Sequence, residues 1–90
     1  MASFAPDPDV VSRRLADEVV LVNLRTNRIF ALNRSAARFW ELFDAGRPRA
    51  EIADALMSEF DVEPDRVDHE IDGLLASLTA EGLVAAHGDR

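Results

Sequence analysis

The sequence predicts an α+β domain, a three-stranded antiparallel sheet followed by three helices. Three observations predict it. β-branched and aliphatic residues crowd the stretch from Val10 to Leu32, broken twice by turn-forming residues. From Ser35 onward the apolar residues recur every three or four positions, the helical period. The two patterns do not interleave, and segregated strands and helices define the α+β class.

Residues 1–9 carry two prolines and two aspartates, and they predict a flexible lead-in. Val10–Leu15 reads as a first strand with weak alternation, closed by a turn at Ala16-Asp17. Glu18–Leu24 is apolar on both faces, which suits a central strand with a neighbour on each side. Arg25-Thr26-Asn27 turns the chain again, Asn27 tolerating the left-handed conformation that tight hairpins demand. Two tight connections make a meander, so Arg28–Leu32 is an edge strand.

Asn33 or Ser35 caps the first helix. Ala36, Phe39, Trp40 and Phe43 follow at helical spacing, and such a stripe belongs to a core rather than a binding platform. Gly46 can supply the left-handed cap that ends this helix. Pro48 opens a second helix, whose Ile52, Leu56 and Phe60 share one face with Ala53 and Met57 beside them. Pro64 and Asp65 start a third, where proline fits and the helix dipole favours an acid. Val67, Ile71, Leu74 and Leu78 lie in a narrow arc of that helix, with Leu75 outside it on the shoulder shared by Asp68 and Asp72. Gly82 closes the helix, Leu83-Val84 gives the apolar contact after the cap, and residues 86–90 read as a flexible tail. One domain therefore spans residues 10–85. Three helices beside a small antiparallel sheet is also the part list of a winged helix.

Composition excludes several function classes. The chain has no cysteine, hence no disulfide, thiolate ligand or thiol nucleophile. All ten basic residues are arginine against 17 acids, a net charge of −7, which is the wrong sign for phosphate backbones. The longest aliphatic run, Val19–Val22, is far too short to span a membrane, and the N-terminus lacks the features of a signal peptide, so a cytoplasmic protein is expected. Asp61, Glu63, Asp65 and Asp72 match four positions of a calcium loop, but Arg66 stands at the sharp-turn glycine and Pro64 begins a helix there. His69 and His87 are too few and too scattered for a metal site, and no cofactor is expected. Ser12, Ser35, Ser58 and Ser77 sit in no nucleophile motif, and no glycine-rich phosphate loop exists, so no enzyme activity is expected. Gly73, inside the third helix, costs about 1 kcal/mol against alanine. Either close approach of backbone or ligand, or a tolerated defect, accounts for it.

The edge strand carries the functional lean. Native edges are defended by lysine, proline or bulges. Arg28-Ile29-Phe30-Ala31-Leu32 has none of these, and its apolar residues alternate. Such an edge invites β-augmentation, in which a peptide takes main-chain hydrogen bonds from the strand. The alternatives are an edge covered by the C-terminal segment or by a second copy of the chain, so monomer and dimer both remain open.

Glu18-Val-Val-Leu-Val-Asn-Leu, a short turn, and Arg28-Ile-Phe-Ala-Leu-Asn-Arg-Ser-Ala-Ala-Arg-Phe-Trp-Glu-Leu resemble the PqqD-type RiPP recognition element, a family of peptide-modification chaperones. Leu32, Asn33, Ala36 and Trp40 are the most specific part. The later Ile52, Leu56, Phe60-Asp61-Val62 and Leu74-Leu75, Leu78, Gly82-Leu83-Val84 continue the match, which covers residues 10–85. Asn27 departs from the family's usual glycine but can adopt the same turn. The resemblance implies a winged-helix-like domain that holds the leader of a ribosomally made precursor and presents it to a modifying enzyme. That partner is a radical SAM enzyme in pyrroloquinoline quinone (PQQ) biosynthesis, or a leader peptidase in lasso peptide maturation. It implies that the leader adds as a strand to Arg28–Leu32, in a cleft walled by the third helix. Ile71, Leu75, Asp68 and Asp72 are the expected wall, and the two aspartates would favour a basic leader residue. A winged-helix DNA-binding regulator and an edge-paired structural dimer are the competing readings. The third helix carries Arg66 alone against five acids, and phosphate would repel it.

Overall fold

The computed structural model describes residues 3–16 and 18–87. In chain order the elements are β1 (Ser3–Pro6), β2 (Val10–Leu15), β3 (Glu18–Asn23), β4 (Arg28–Leu32), α1 (Arg34–Asp44), α2 (Arg49–Phe60), α3 (Pro64–Ala80) and β5 (Val84–His87). The expected α+β class holds. β2, β3 and β4 form the antiparallel meander with β3 in the centre, and β4 is an edge. Asn27 takes the left-handed conformation at φ 61°, which closes the hairpin between β3 and β4.

Register sorts the two faces of this sheet. Val19, Leu21 and Asn23 stand opposite Leu32, Phe30 and Arg28, on the face toward the helices. Val19 and Leu21 are buried there with Phe39 and Trp40 of α1, Ile52 and Leu56 of α2, and Val67, Ile71 and Leu78 of α3. The aromatic stripe is core as expected. Phe43, half-buried at its end, stacks on Phe39 with ring centroids 5.5 Å apart. Asn33 is the cap of α1, its side chain accepting the Ala36 N–H at 3.0 Å.

Two expectations at the termini are corrected. Ser3–Pro6, taken as part of a loose lead-in, pairs with Val84–His87 in a separate two-stranded sheet. The prolines that suggested disorder sit at the end of β1 and in the turn after it, positions where a missing N–H is tolerated. The partner strand arrives only after α3 has returned, so the pairing leaves no local signal. β5 correspondingly takes in Ala86 and His87, which had been assigned to the tail, while residues 88–90 and Asp17 lie outside the described residues. Leu83 and Val84, fully and almost fully buried, anchor β5 against the core as the cap motif predicts. Among the described residues no helix is long and apolar enough to cross a membrane.

Asn23 ties these pieces together. It is 0% exposed, a polar residue at the bottom of the core. Its Oδ1 accepts the Arg25 N–H at 2.9 Å and the Thr26 N–H at 3.3 Å, shaping the hairpin turn. Its Nδ2 donates to the Gly82 carbonyl at 3.1 Å, fixing that turn to the corner between α3 and β5. Gly82 is at φ +74°, and a Cβ there would lie 3.2 Å from Nδ2, so the corner needs glycine twice over. Arg25 adds ion pairs to Asp7 and Asp9 at 3.2 and 3.1 Å. The Asp9 N–H donates to the Asp7 carboxylate at 2.9 Å, and this bond, with Arg25, holds the Asp7 pKa below its ordinary value.

Candidate functional site: an open strand edge beside the third helix

The direction of the main-chain groups of β4 follows from the bonds of its neighbours. The Leu24 N–H donates to the Asp9 carbonyl at 2.9 Å, which makes Asp9 and Leu24 a hydrogen-bonded pair just beyond the β2–β3 ladder. Bonded and non-bonded pairs alternate in an antiparallel ladder. Val11 and Val22, two residues further in, are therefore the next bonded pair, and Arg13 and Val20 the one after. Val22 and Val20 thus direct their N–H and C=O groups at β2. Ile29 and Ala31 stand opposite them on β4 and receive nothing from β3. Their N–H and C=O groups point out of the sheet, at the free edge. The C-terminal strand does not cover this edge, because β5 pairs with β1.

The side chains alternate the other way. Arg28, Phe30 and Leu32 turn toward the helices, with Leu32 buried and the Arg28 guanidinium 5.3 Å from the Phe30 ring centre. Ile29, at 68% exposure, and Ala31 turn to the opposite face.

The helical wall beside this edge is one shoulder of α3. Arg28 pairs with Glu81, the C-cap residue of α3, at 2.9 Å, so the start of β4 and the end of α3 meet. At the other end of β4 the chain enters α1. Ser35 there shares a narrow groove with Phe60, Val62, Glu70 and Leu74. Glu70, Leu74, Ser77 and Glu81 fall on one stripe of α3, whose last member meets β4 through Arg28. The half-buried Leu74, placed in the core arc by its spacing, is at the groove rim.

The expected wall residues separate accordingly. Ile71 is buried in the core, 1% exposed, at the floor between the two shoulders. Leu75, Asp68 and Asp72 occupy the other shoulder, away from β4. Leu75 lines an apolar hollow of ≈ 510 Å³ with Phe4, Phe39, Phe43, Pro48 and Ile52. Asp68 and Asp72 both hold Arg49 of α2, at 2.7 and 2.8 Å. The Asp68 hydrogen bond is the main reason the Arg49 pKa is raised. The two carboxylates therefore have an internal cation and do not call for a basic peptide residue. Spacing identified a second shoulder of α3 but held no information on which shoulder β4 would meet. Glu70, Leu74 and Glu81 were not singled out by spacing for that reason; the Arg28–Glu81 ion pair and the groove shared with Ser35 place them on the shoulder nearer the two ends of β4.

At Gly73 no described backbone makes the close approach that glycine would permit. A Cβ built there meets nothing within 4 Å, and its φ is not in the left-handed region. Gly73→Ala should raise the unfolding free energy by about 0.5–1 kcal/mol in urea titrations, by restricting the unfolded chain and improving helix propensity.

A small meander, three helices and an open strand edge at β4 define a winged-helix-like class of domain. The chain belongs to the family described as coenzyme PQQ synthesis protein D (PqqD), which residues 18–84 match. Two solved structures are similar over nearly the whole chain. One is TbiB1 in complex with the TbiA(beta) leader peptide, 32% identical, with a TM-score of 0.88 over 94% of this chain and 99% of that one. The other is lasso peptide synthetase B1 complexed with the leader peptide, 27% identical, with a TM-score of 0.84 over 91% of this chain and 96% of that one. No curated protein sequence matches the chain.

Proposed function

We propose that this protein recognises the leader segment of a ribosomally synthesised precursor peptide by strand addition at β4 and presents the precursor to a separate modifying enzyme. The observation that carries this reading is the outward set of N–H and C=O groups on Ile29 and Ala31. They are four unpaired main-chain groups on an edge without lysine, proline or bulge. A leader strand there lies between β4 and the α3 stripe of Glu70, Leu74 and Glu81. The domain's own contribution is binding and orientation, with no catalytic group. Because both similar structures are leader complexes, and one is of a lasso peptide synthetase, lasso peptide maturation is the favoured pathway and a leader peptidase the favoured partner. The PQQ pathway, with a radical enzyme as partner, is the second reading, supported by the family's description.

The test is a titration of fluorescent leader segments, taken from the short precursors encoded beside the gene, with the protein at physiological salt. Saturable binding is expected. Leu74→Asp should weaken it about tenfold or more by placing a charge at the apolar rim, while Leu75→Asp, on the far shoulder, changes affinity less than about twofold. Loss confined to Leu75→Asp, with Leu74→Asp binding as wild type does, would move the cleft to the other shoulder. No binding to any neighbouring leader would overturn the function.

A further inference from the structure

The outer face of the sheet bears a second set of contacts for the same ligand. Cross-strand register aligns its side chains in rows: Val11, Val22 and Ile29 form one, and Arg13, Val20 and Ala31 the next. The first row is apolar from end to end. It starts at Val11, 45% exposed, and stops at Ile29, 68% exposed, the most exposed large apolar residue among those described. α1, α2 and α3 lie on the other side of the sheet, and among the described residues no element covers this face.

An apolar row that ends on an open edge is a row with a missing neighbour. Opposed side chains on adjacent strands are the stabilising unit of a sheet, and apolar pairs are among the favourable ones. Whatever strand hydrogen-bonds to the outward groups of Ile29 must place one side chain beside the Ile29 side chain, on the outer face. This holds whether the strand runs parallel or antiparallel, because the side-chain period is 2 in both. Next to it, Ala31 is small and leaves room for a bulky guest side chain.

Resting on the leader-binding reading above, we infer that Ile29 is a specificity residue: the leader strand sets a large apolar side chain against it on the outer face, extending the row Val11–Val22–Ile29 to a fourth strand. The leader is then read on both faces, by Phe30 and Leu74 in the cleft and by Ile29 outside it. A second copy of the chain is the weaker occupant, since each copy carries a net charge of −7.

The experiment compares wild type, Ile29→Thr and Val11→Thr against the same fluorescent leader and a set of leaders with one residue at a time changed to aspartate. Threonine keeps the β-branched shape and leaves the main-chain hydrogen bonds intact, so folding is preserved and only the apolar contact is removed. Ile29→Thr should weaken binding about 3- to 5-fold, and Val11→Thr, two strands from the edge, should leave it within about 1.5-fold. Sensitive leader positions should include adjacent residues, one facing each side. The aspartate leader that loses the outer contact should lose less against Ile29→Thr than against wild type. An Ile29→Thr affinity equal to wild type, or sensitivity confined to alternate leader positions, overturns the inference while leaving leader binding in place. Absence of leader binding to the wild type removes the functional reading itself. A stable dimer that leader does not dissociate, seen by sedimentation, overturns both.

Discussion

Asn23→Ala should lower the unfolding free energy by roughly 3 kcal/mol, a drop of about 12–24 °C in the melting temperature of a domain this size. Three hydrogen bonds end on this one side chain, and all three partners are backbone groups that would be left beside a small cavity. An unmade buried hydrogen bond costs about 1–3 kcal/mol per group, less where water enters, and the turn side of Asn23 is near solvent. The corner side is not: Asn23 is fully buried, and Gly82 has no side chain to fill the void. Asn23→Leu would test the same point from the other direction. It restores volume but leaves the Gly82 carbonyl and the two turn amides unpaired, so it should not recover the loss. Urea unfolding monitored by Trp40 fluorescence measures both, since Trp40 is in the same core. The consequence reaches the candidate site, because the Asn23–Gly82 bond and the Arg28–Glu81 ion pair are, among the described residues, the two polar links from the β3–β4 hairpin to the end of α3. The ion pair alone is exposed and contributes below about 1 kcal/mol. Position of the edge relative to its wall therefore depends mainly on Asn23.

What was legible in the sequence was what local pattern encodes. Alternation and turn residues gave the meander and its edge, and with them Arg28–Leu32 as the strand of interest. Spacing gave the three helices and the Phe39–Trp40 core. The role of Asn23 was not legible: it sits in a run of β-formers where nothing separates an inward amide from an outward one until the register is known. β1 was hidden because its partner is some eighty residues away. The choice of shoulder on α3 was hidden for a geometric reason. A helix with apolar residues on both flanks of its core arc reads the same whichever flank the sheet approaches, and Leu74 and Leu75 are adjacent in sequence yet face different elements. Long-range placement decided each case, and long-range placement is what local periodicity does not contain.

Ile29→Pro should abolish leader binding, with a loss of about 100-fold or more, while the protein stays folded. Proline removes one of the outward donors and sets its ring on the edge where the guest backbone must approach. On an edge strand the effect depends on which way the lost N–H points. That of Ile29 points away from β3, since Val22 opposite is bonded to β2, so the β3–β4 ladder loses nothing. Phe30 next to it is the reverse, its N–H directed at Leu21, and proline there would break the sheet. Circular dichroism and a melting curve close to wild type, together with a flat titration, are the expected pair of results for Ile29→Pro. The comparison with Ile29→Thr then separates main chain from side chain at one position: threonine removes the outer apolar contact and keeps the donor, while proline removes the donor. If proline binds leader as threonine does, the peptide is held by side chains alone and strand addition at β4 is wrong. If proline alone eliminates binding, the affinity comes first from the backbone of the edge, and the side chains on its two faces select which leader is taken.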